Sequence, residues 1–236
     1  MTTLLESYVD RKPVDGKNEH RVYFRVTSGA GNESSVRALD VDVATAMEQP
    51  YKLAELVAIK YLLMYSPYVG ENRSGDGLKI NVSYGAIKKV QKLHTTNSNM
   101  VIHGRFLQVR FSGAVIGTAR RYDWVKDFSG DVVDISLKDC ADKPVSTHVG
   151  ELHLTRHAVE RFKERLDIPN VDRAWKRLTK LMTSGEWNII KPIMKMRNDK
   201  KNRTTETWAV SKGHASPINI VVVRHERVNR VVTVIA

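Results

Sequence analysis

The stretch "LTRHAVERFKERL", Leu154 to Leu166, decides how the second half of this chain is read. Thr155 stands where an N-cap belongs, because its hydroxyl can accept a hydrogen bond from a free N–H of the first turn. Ala158, Val159, Phe162 and Leu166 recur at helical spacing and form an apolar stripe. A helix is therefore expected to run to about Asp167 and to bury that stripe. His157, Arg161 and Arg165 follow one another four residues apart on a second face. Such a row is either a solvated face, paired with Glu160 and Glu164, or the wall of a site that handles phosphate.

Working outward, Pro169 restarts the chain. A second helix is expected to carry Val171, Ala174, Trp175, Leu178, Leu181 and Met182 on one face and to end at Gly185. Strand-like segments follow: "WNIIKPIMKM", "TTETWAV", "INIVVVR" and "RVVTVIA". The last two pair as a hairpin across "HERVN". Two helices packed on an antiparallel sheet make a small α+β domain over residues 146–236.

Ahead of it, "KDCADKPVSTHVGE" (Lys138 to Glu151) has few core residues and reads as a domain boundary. Residues 1–145 read as a mixed α/β domain with a binding or scaffold role. Its expected strands are "HRVYFRV", "VRALDVDV", "LKINVSY", "GRFLQVRFSGAVIG" and "DVVDISL". Its expected helices are "YKLAELVAIKYLLMYS", stopped by Pro67, and "GAIKKVQKL". No internal repeat and no low-complexity tract is found.

The chain has 236 residues, 42% of them hydrophobic, enough for a real core. No apolar run approaches the roughly 20 residues that span a bilayer, and the first residues lack the pattern of a signal peptide. Cys140 is the only cysteine, so an internal disulfide and a cysteine-rich zinc site are excluded. These features fit a soluble protein of a reducing cytoplasm. The net charge is +12, and residues 151–236 carry 18 Lys and Arg against 9 Asp and Glu. That asymmetry points to an anionic partner, most often nucleic acid.

From "TRHAVERFKERL" and the terminal strand "RVVTVIA", the C-terminal part resembles a group of small α+β nucleases. The group includes RelE-type toxins, barnase-like ribonucleases and related phage and plasmid proteins. The resemblance covers about a third of the chain and implies metal-independent cleavage of RNA. The N-terminal part resembles a degraded RNase H-like fold. "VYFRVTSGAGNES" is similar to its first strand and Gly-rich turn, "LAELVAIKYLL" to the helix with its catalytic Glu, here Glu55, and "INVSYGAIKKV" to its next strand and helix. The other carboxylate positions then fall near Val26 or Thr27 and near Ser83, none of which can serve as a carboxylate ligand. This resemblance implies a binding or scaffold relic, not a metal nuclease.

Cleaving RNA without a metal needs a base, an acid and cations beside the phosphate. His157, at the second position of its helix, is the candidate base or acid; the helix field there favours an anion and keeps the imidazole neutral. Arg161 and Arg165 are candidate phosphate clamps. Glu206, mid-strand, is a candidate base or orienting carboxylate. Candidate nucleic-acid contacts are Lys195, Arg197, Lys200, Lys201 and Arg203 in "KMRNDKKNR", with Arg120 and Arg121 in "ARRYDWVK". Trp208 reads as core before it reads as a base-stacking surface. Tyr122 and Trp124 could add aromatic faces to the contact at Arg120 and Arg121, although an ordinary loop anchored by Trp124 is the preferred reading, and His214 and His225 read as surface residues. No cofactor or metal is expected.

The expected function is an endonuclease of a phage, satellite or plasmid, acting in the host cytoplasm, with RNA favoured over DNA. A non-catalytic nucleic-acid-binding regulator is the alternative. A protein-interaction module acting on a host enzyme is a third reading.

Overall fold

The computed structural model describes residues 2–14, 17–29, 34–43, 48–69, 74–119, 121–137, 140, 144–195, 204–213, 216–224 and 229–235. For residues 172 and 191–195 it describes the backbone alone. The protein is α+β, with two mixed sheets. It divides into two compact units, Met1–Ala141 and Asp142–Ala236; the sequence reading divides it after residue 145.

Unit 1 opens with three antiparallel strands, β1 (Thr3–Pro13), β2 (Glu19–Thr27) and β3 (Arg37–Asp42). Helix α1 (Pro50–Met64) follows, then β4 (Leu78–Val82) and the short helices α2 (Gly85–Gln91), α3 (Ser98–His103) and α4 (Arg105–Gln108). Strand β5 (Val115–Thr118), a 3₁₀ turn (Asp123–Asp127) and β6 (Val132–Ser136) complete it. The sheet order is β5-β4-β1-β2-β3-β6, and β4, β5 and β6 all join parallel to their neighbours.

Alternation builds this sheet. Leu5, Ser7 and Val9 of β1 and Val22 and Phe24 of β2 are buried. Glu6 stands directly opposite Arg25, and the two form an ion pair. Helix α1 starts at a proline, whose fixed φ and missing N–H suit that position. It is buried from Leu53 to Leu63 apart from Tyr61, since it contacts β1, β2 and β3 as well as α2 and α3.

Two expected strands differ in the structure. The first strand is β1, ahead of the one read from "HRVYFRV", which is β2. Ser7 at a core position breaks the apolar alternation that would have marked β1. The stretch "GRFLQVRFSGAVIG" is helical at Arg105–Gln108 and a strand only at Val115–Thr118. Phe106, Leu107 and Phe111 are buried at spacings a short helix also satisfies. Gly104 is pressed against Val90, where an added Cβ would clash with that side chain. The division after Ala141 falls within the stretch Lys138–Glu151, which also contains β7 (Val145–Thr147) and the start of β8 (Gly150–Leu154).

Unit 2 continues with α5 (Arg156–Arg165), α6 (Val171–Ser184), β9 (Glu186–Lys195), β10 (Thr204–Ser211), β11 (Ile218–Arg224) and β12 (Arg230–Ile235). Strands β9 to β12 are antiparallel, and β8 joins parallel to β12, so the order is β7-β8-β12-β11-β10-β9. Helix α5 lies on β12 and against α6. Ala158, Val159 and Phe162 of α5, Ala174, Leu178 and Met182 of α6, and Val210, Ile220, Val222, Val231 and Val234 of the sheet form the core. Leu166, Trp175 and Leu181 are half-buried at its border.

Candidate nucleic-acid interface

The start of α5 is built as its sequence suggests. The Thr155 hydroxyl accepts from the Ala158 N–H at 3.2 Å and donates to the Val231 carbonyl at 2.9 Å. One side chain thus caps the helix and ties it to β12. His157, in the first turn, is exposed and makes no hydrogen bond or ion pair with a described residue. Arg161 pairs with Glu164 at 2.9 Å, and the neighbouring Arg156 with Glu160 at 2.6 Å. Arg165 is exposed. With a rise of about 1.5 Å per residue, Arg161 and Arg165 lie about 6 and 12 Å along the axis from His157.

Strand register then collects basic positions at one end of the sheet. Lys195, Thr204 and Arg224 are consecutive partners across β9, β10 and β11. Val223, Arg230 and His153 are consecutive across β11, β12 and β8. β8 leads into α5 at this same end. Arg224, Arg230, His153 and Arg156 were not singled out from the sequence; the hairpin ends flanking "HERVN" are the signal that would have found two of them. Arg197, Lys200, Lys201, Arg203, His214 and His225 lie outside the described residues, as does Arg120. Of Lys195, the strand position alone is described.

Glu206 is not beside His157. It stands in one row with Val222, Val231 and Leu154, three strand spacings and so roughly 14 Å from Leu154. Its carboxylate is nearly buried and already engaged. Trp208 Nε1 donates to Oε2 at 2.8 Å, and Arg224 Nε donates to the same oxygen at 3.1 Å. Arg224 also donates to the Val149 carbonyl at 3.0 Å. Trp208 is half-buried, its ring 6.1 Å from that of Trp187. Glu206 is thereby an anchor for Arg224.

In unit 1 the loop with Arg121 is tied to the sheet by its aromatic side chains. Tyr122 packs on Tyr8 at 4.6 Å, Phe128 on Tyr23 at 5.3 Å, and Trp124 lies under the Arg25 guanidinium at 5.1 Å. Arg121 itself is exposed.

The second polar cluster of unit 1 is internal. Glu55 is fully buried. Its Oε1 accepts from the Ser7 hydroxyl at 2.8 Å and the Ser83 N–H at 2.7 Å, while Oε2 has no hydrogen-bond partner among the described residues. Burial pushes its carboxyl up to about 7, against the pull of those hydrogen bonds. The residues that meet Glu55 from β1 and from the end of β4 are therefore Ser7 and Ser83. Val26 and Thr27 lie on β2, not on the first strand. Two hydroxyls and one sealed carboxyl do not fit a divalent-metal site, which needs several ionised oxygens.

Among the described residues Glu19, Asp40 and Asp134 bring carboxylate oxygens within 4.8 Å of one another. Arg21 holds Asp40 through two bonds of 2.7 Å, and Lys17 lies 3.0 Å from Glu19. Two of the three charges are thus neutralised by the protein.

No helix among the described residues is long and apolar enough to cross a membrane. No protein-family model matches the chain, and no curated protein matches it. Among solved structures, RNase H1 from the halophilic archaeon Halobacterium salinarum NRC-1 aligns with a TM-score of 0.34 and 12% identity, over 57% of this chain and 87% of that one.

Proposed function

We propose that this chain binds nucleic acid, and that its binding surface is the strand-end edge of unit 2 beside the start of α5. One observation carries the reading: two neighbouring rows at the end of the sheet from which α5 departs, Lys195–Thr204–Arg224 and Val223–Arg230–His153, place basic residues on its two faces. Arg230 is exposed, with no ion pair to a described residue. The first turn of α5 presents N–H groups and the positive end of its dipole beside it. The ion pairs of Arg156 and Arg161 are partly exposed, so little is lost when a phosphate replaces their carboxylates.

The finer reading is an endonuclease in which His157 takes the proton from a ribose 2′-OH, the attacking oxygen displaces the 5′-oxygen, and that leaving oxygen collects a proton from water. This favours RNA, because DNA lacks the nucleophile. A binder without catalysis is the second reading. It is favoured by the engagement of Glu206 with Arg224 and Trp208, which leaves His157 no carboxylate partner among the described residues.

The test is an anisotropy titration with labelled single-stranded RNA and DNA, followed by gel analysis with and without Mg²⁺. Binding that weakens steeply with salt supports the interface; no affinity at low salt refutes it. Cleavage lost in His157→Ala with binding kept supports the endonuclease, and intact RNA with the wild type leaves the binder.

A further inference from the structure

Unit 1 contains a cleft of ≈ 470 Å³ between the first turn of α1 and the segment that runs from Tyr84 to Met100. That size falls in the range of small-molecule sites, roughly 300–1,000 Å³. Its walls bring together two cations, Lys52 and Lys89, and one aromatic ring, Tyr84. Neither lysine is in an ion pair with a described residue. Lys52 Nζ lies 5.8 Å from the centre of the Tyr84 ring. The one carboxylate on the wall, Glu48, accepts from Gln49 Nε2 at 3.3 Å.

The ring is held in place before any ligand arrives. Tyr51 packs against it at 5.0 Å, and Arg11 Nε donates to its hydroxyl oxygen at 2.7 Å. Pre-ordering of this kind lowers the entropy lost on binding. Thr95, also on the wall, accepts from the Asn97 N–H at 3.3 Å, and its own hydrogen has no acceptor among the described residues. Gln49 offers no side-chain cap to α1, so the field of that helix is open towards the same side.

We propose that this cleft binds a nucleotide, its phosphate between Lys52 and Lys89 with the Thr95 hydroxyl as a further donor, and its base against Tyr84. Two point charges and a hydroxyl suit a phosphate, and a planar base suits an aromatic wall, whichever base it is. The site lies wholly in unit 1 and does not rest on the reading of unit 2.

The experiment is a calorimetric titration of the full chain with AMP, adenosine, inorganic phosphate and a 5′-phosphorylated trinucleotide. AMP should bind more tightly than adenosine or phosphate alone. The double variant Lys52→Gln/Lys89→Gln should weaken AMP about tenfold or more, whereas Lys176→Gln, exposed on α6 in unit 2, should leave it unchanged. AMP binding that the lysine variants weaken identifies a free nucleotide, and trinucleotide binding that they weaken equally identifies a strand end; either supports the site. Lys89→Gln alone, at an exposed position, gives the same direction should the double variant fail to fold. Absence of binding by both AMP and the trinucleotide, or binding that neither lysine variant changes, overturns the proposal.

Discussion

The Ser7 hydroxyl donates to Glu55 across 2.8 Å, joining β1 to α1 inside unit 1. Both residues are fully buried. Burial holds the Glu55 carboxyl near 7, against 4.5 for an unperturbed Glu. Between those pH values the folded chain keeps a proton that the unfolded chain releases. Stability therefore falls as pH rises through this window and levels off above it. At about 1.4 kcal/mol per pKa unit the full loss is about 3 kcal/mol. Glu55→Gln keeps an acceptor for Ser7 and Ser83 and cannot ionise, so it should flatten this decline. Urea denaturation of both proteins from pH 4.5 to 8.5 measures it; parallel profiles would refute the assignment.

Arg224 and Glu206 form the corresponding pair in unit 2, at 3.0 Å, with the carboxylate the more buried partner. Arg224→Ala leaves that carboxylate with Trp208 alone. The expected loss is about 2–4 kcal/mol, because an uncompensated charge then remains inside. Adding Glu206→Gln to Arg224→Ala should recover part of it. Equal denaturation midpoints for wild type and Arg224→Ala would show that the pair contributes nothing.

Arg230 tests the interface without disturbing the fold, since it is exposed at a strand end. Each phosphate contact adds about 0.7 to the slope of log affinity against log salt for a single strand. Arg230→Gln should therefore lower that slope by about 0.7 and weaken binding alike for all sequences. A slope identical to wild type removes Arg230 from the interface.

Gly185 ends α6 where the chain passes close to its own backbone. A Cβ there would lie 2.5 Å from the Leu181 carbonyl oxygen and 2.9 Å from that of Ser211. Backbone atoms cannot move aside as a side chain can, so Gly185→Ala should cost about 2 kcal/mol. Gly85, with nothing within 4 Å of its Cβ position, is the control; its Ala variant should stay within about 0.5 kcal/mol of wild type. Thermal melts of the two variants distinguish a packing effect from a general effect of replacing glycine.

Thr155→Ala removes both the cap of α5 and its tie to Val231. The expected cost is about 1–2 kcal/mol, with Thr155→Ser retaining most of the stability. An alanine variant as stable as wild type would mean that the helix start is held by packing alone.

Local signals made much of unit 2 legible in advance. Thr155, the stripe of Ala158, Val159 and Phe162, and Gly185 after α6 act within one or two turns of the chain. Their spacing predicts the structure they form, and the α+β class follows from it. Strand β1 was hidden because Ser7 occupies an inward position normally apolar, and its partner Glu55 comes from a helix distant in sequence. Strand β8 was hidden because its neighbour β12 is at the far end of the chain.

The sequence by itself determined the basic excess, the helix face that carries His157, Arg161 and Arg165, and the hairpin between β11 and β12. Those follow from composition and from periodicities of two and 3.6 residues, which are properties of neighbours along the chain. Only the tertiary structure decided that Glu206 belongs to Arg224 and not to His157, and that Ser7 and Ser83 meet at Glu55. It alone brought Lys195, Arg230 and His153 to one end of a sheet. Those relations depend on strand order and register, and register is set by which faces must be buried together across distant segments.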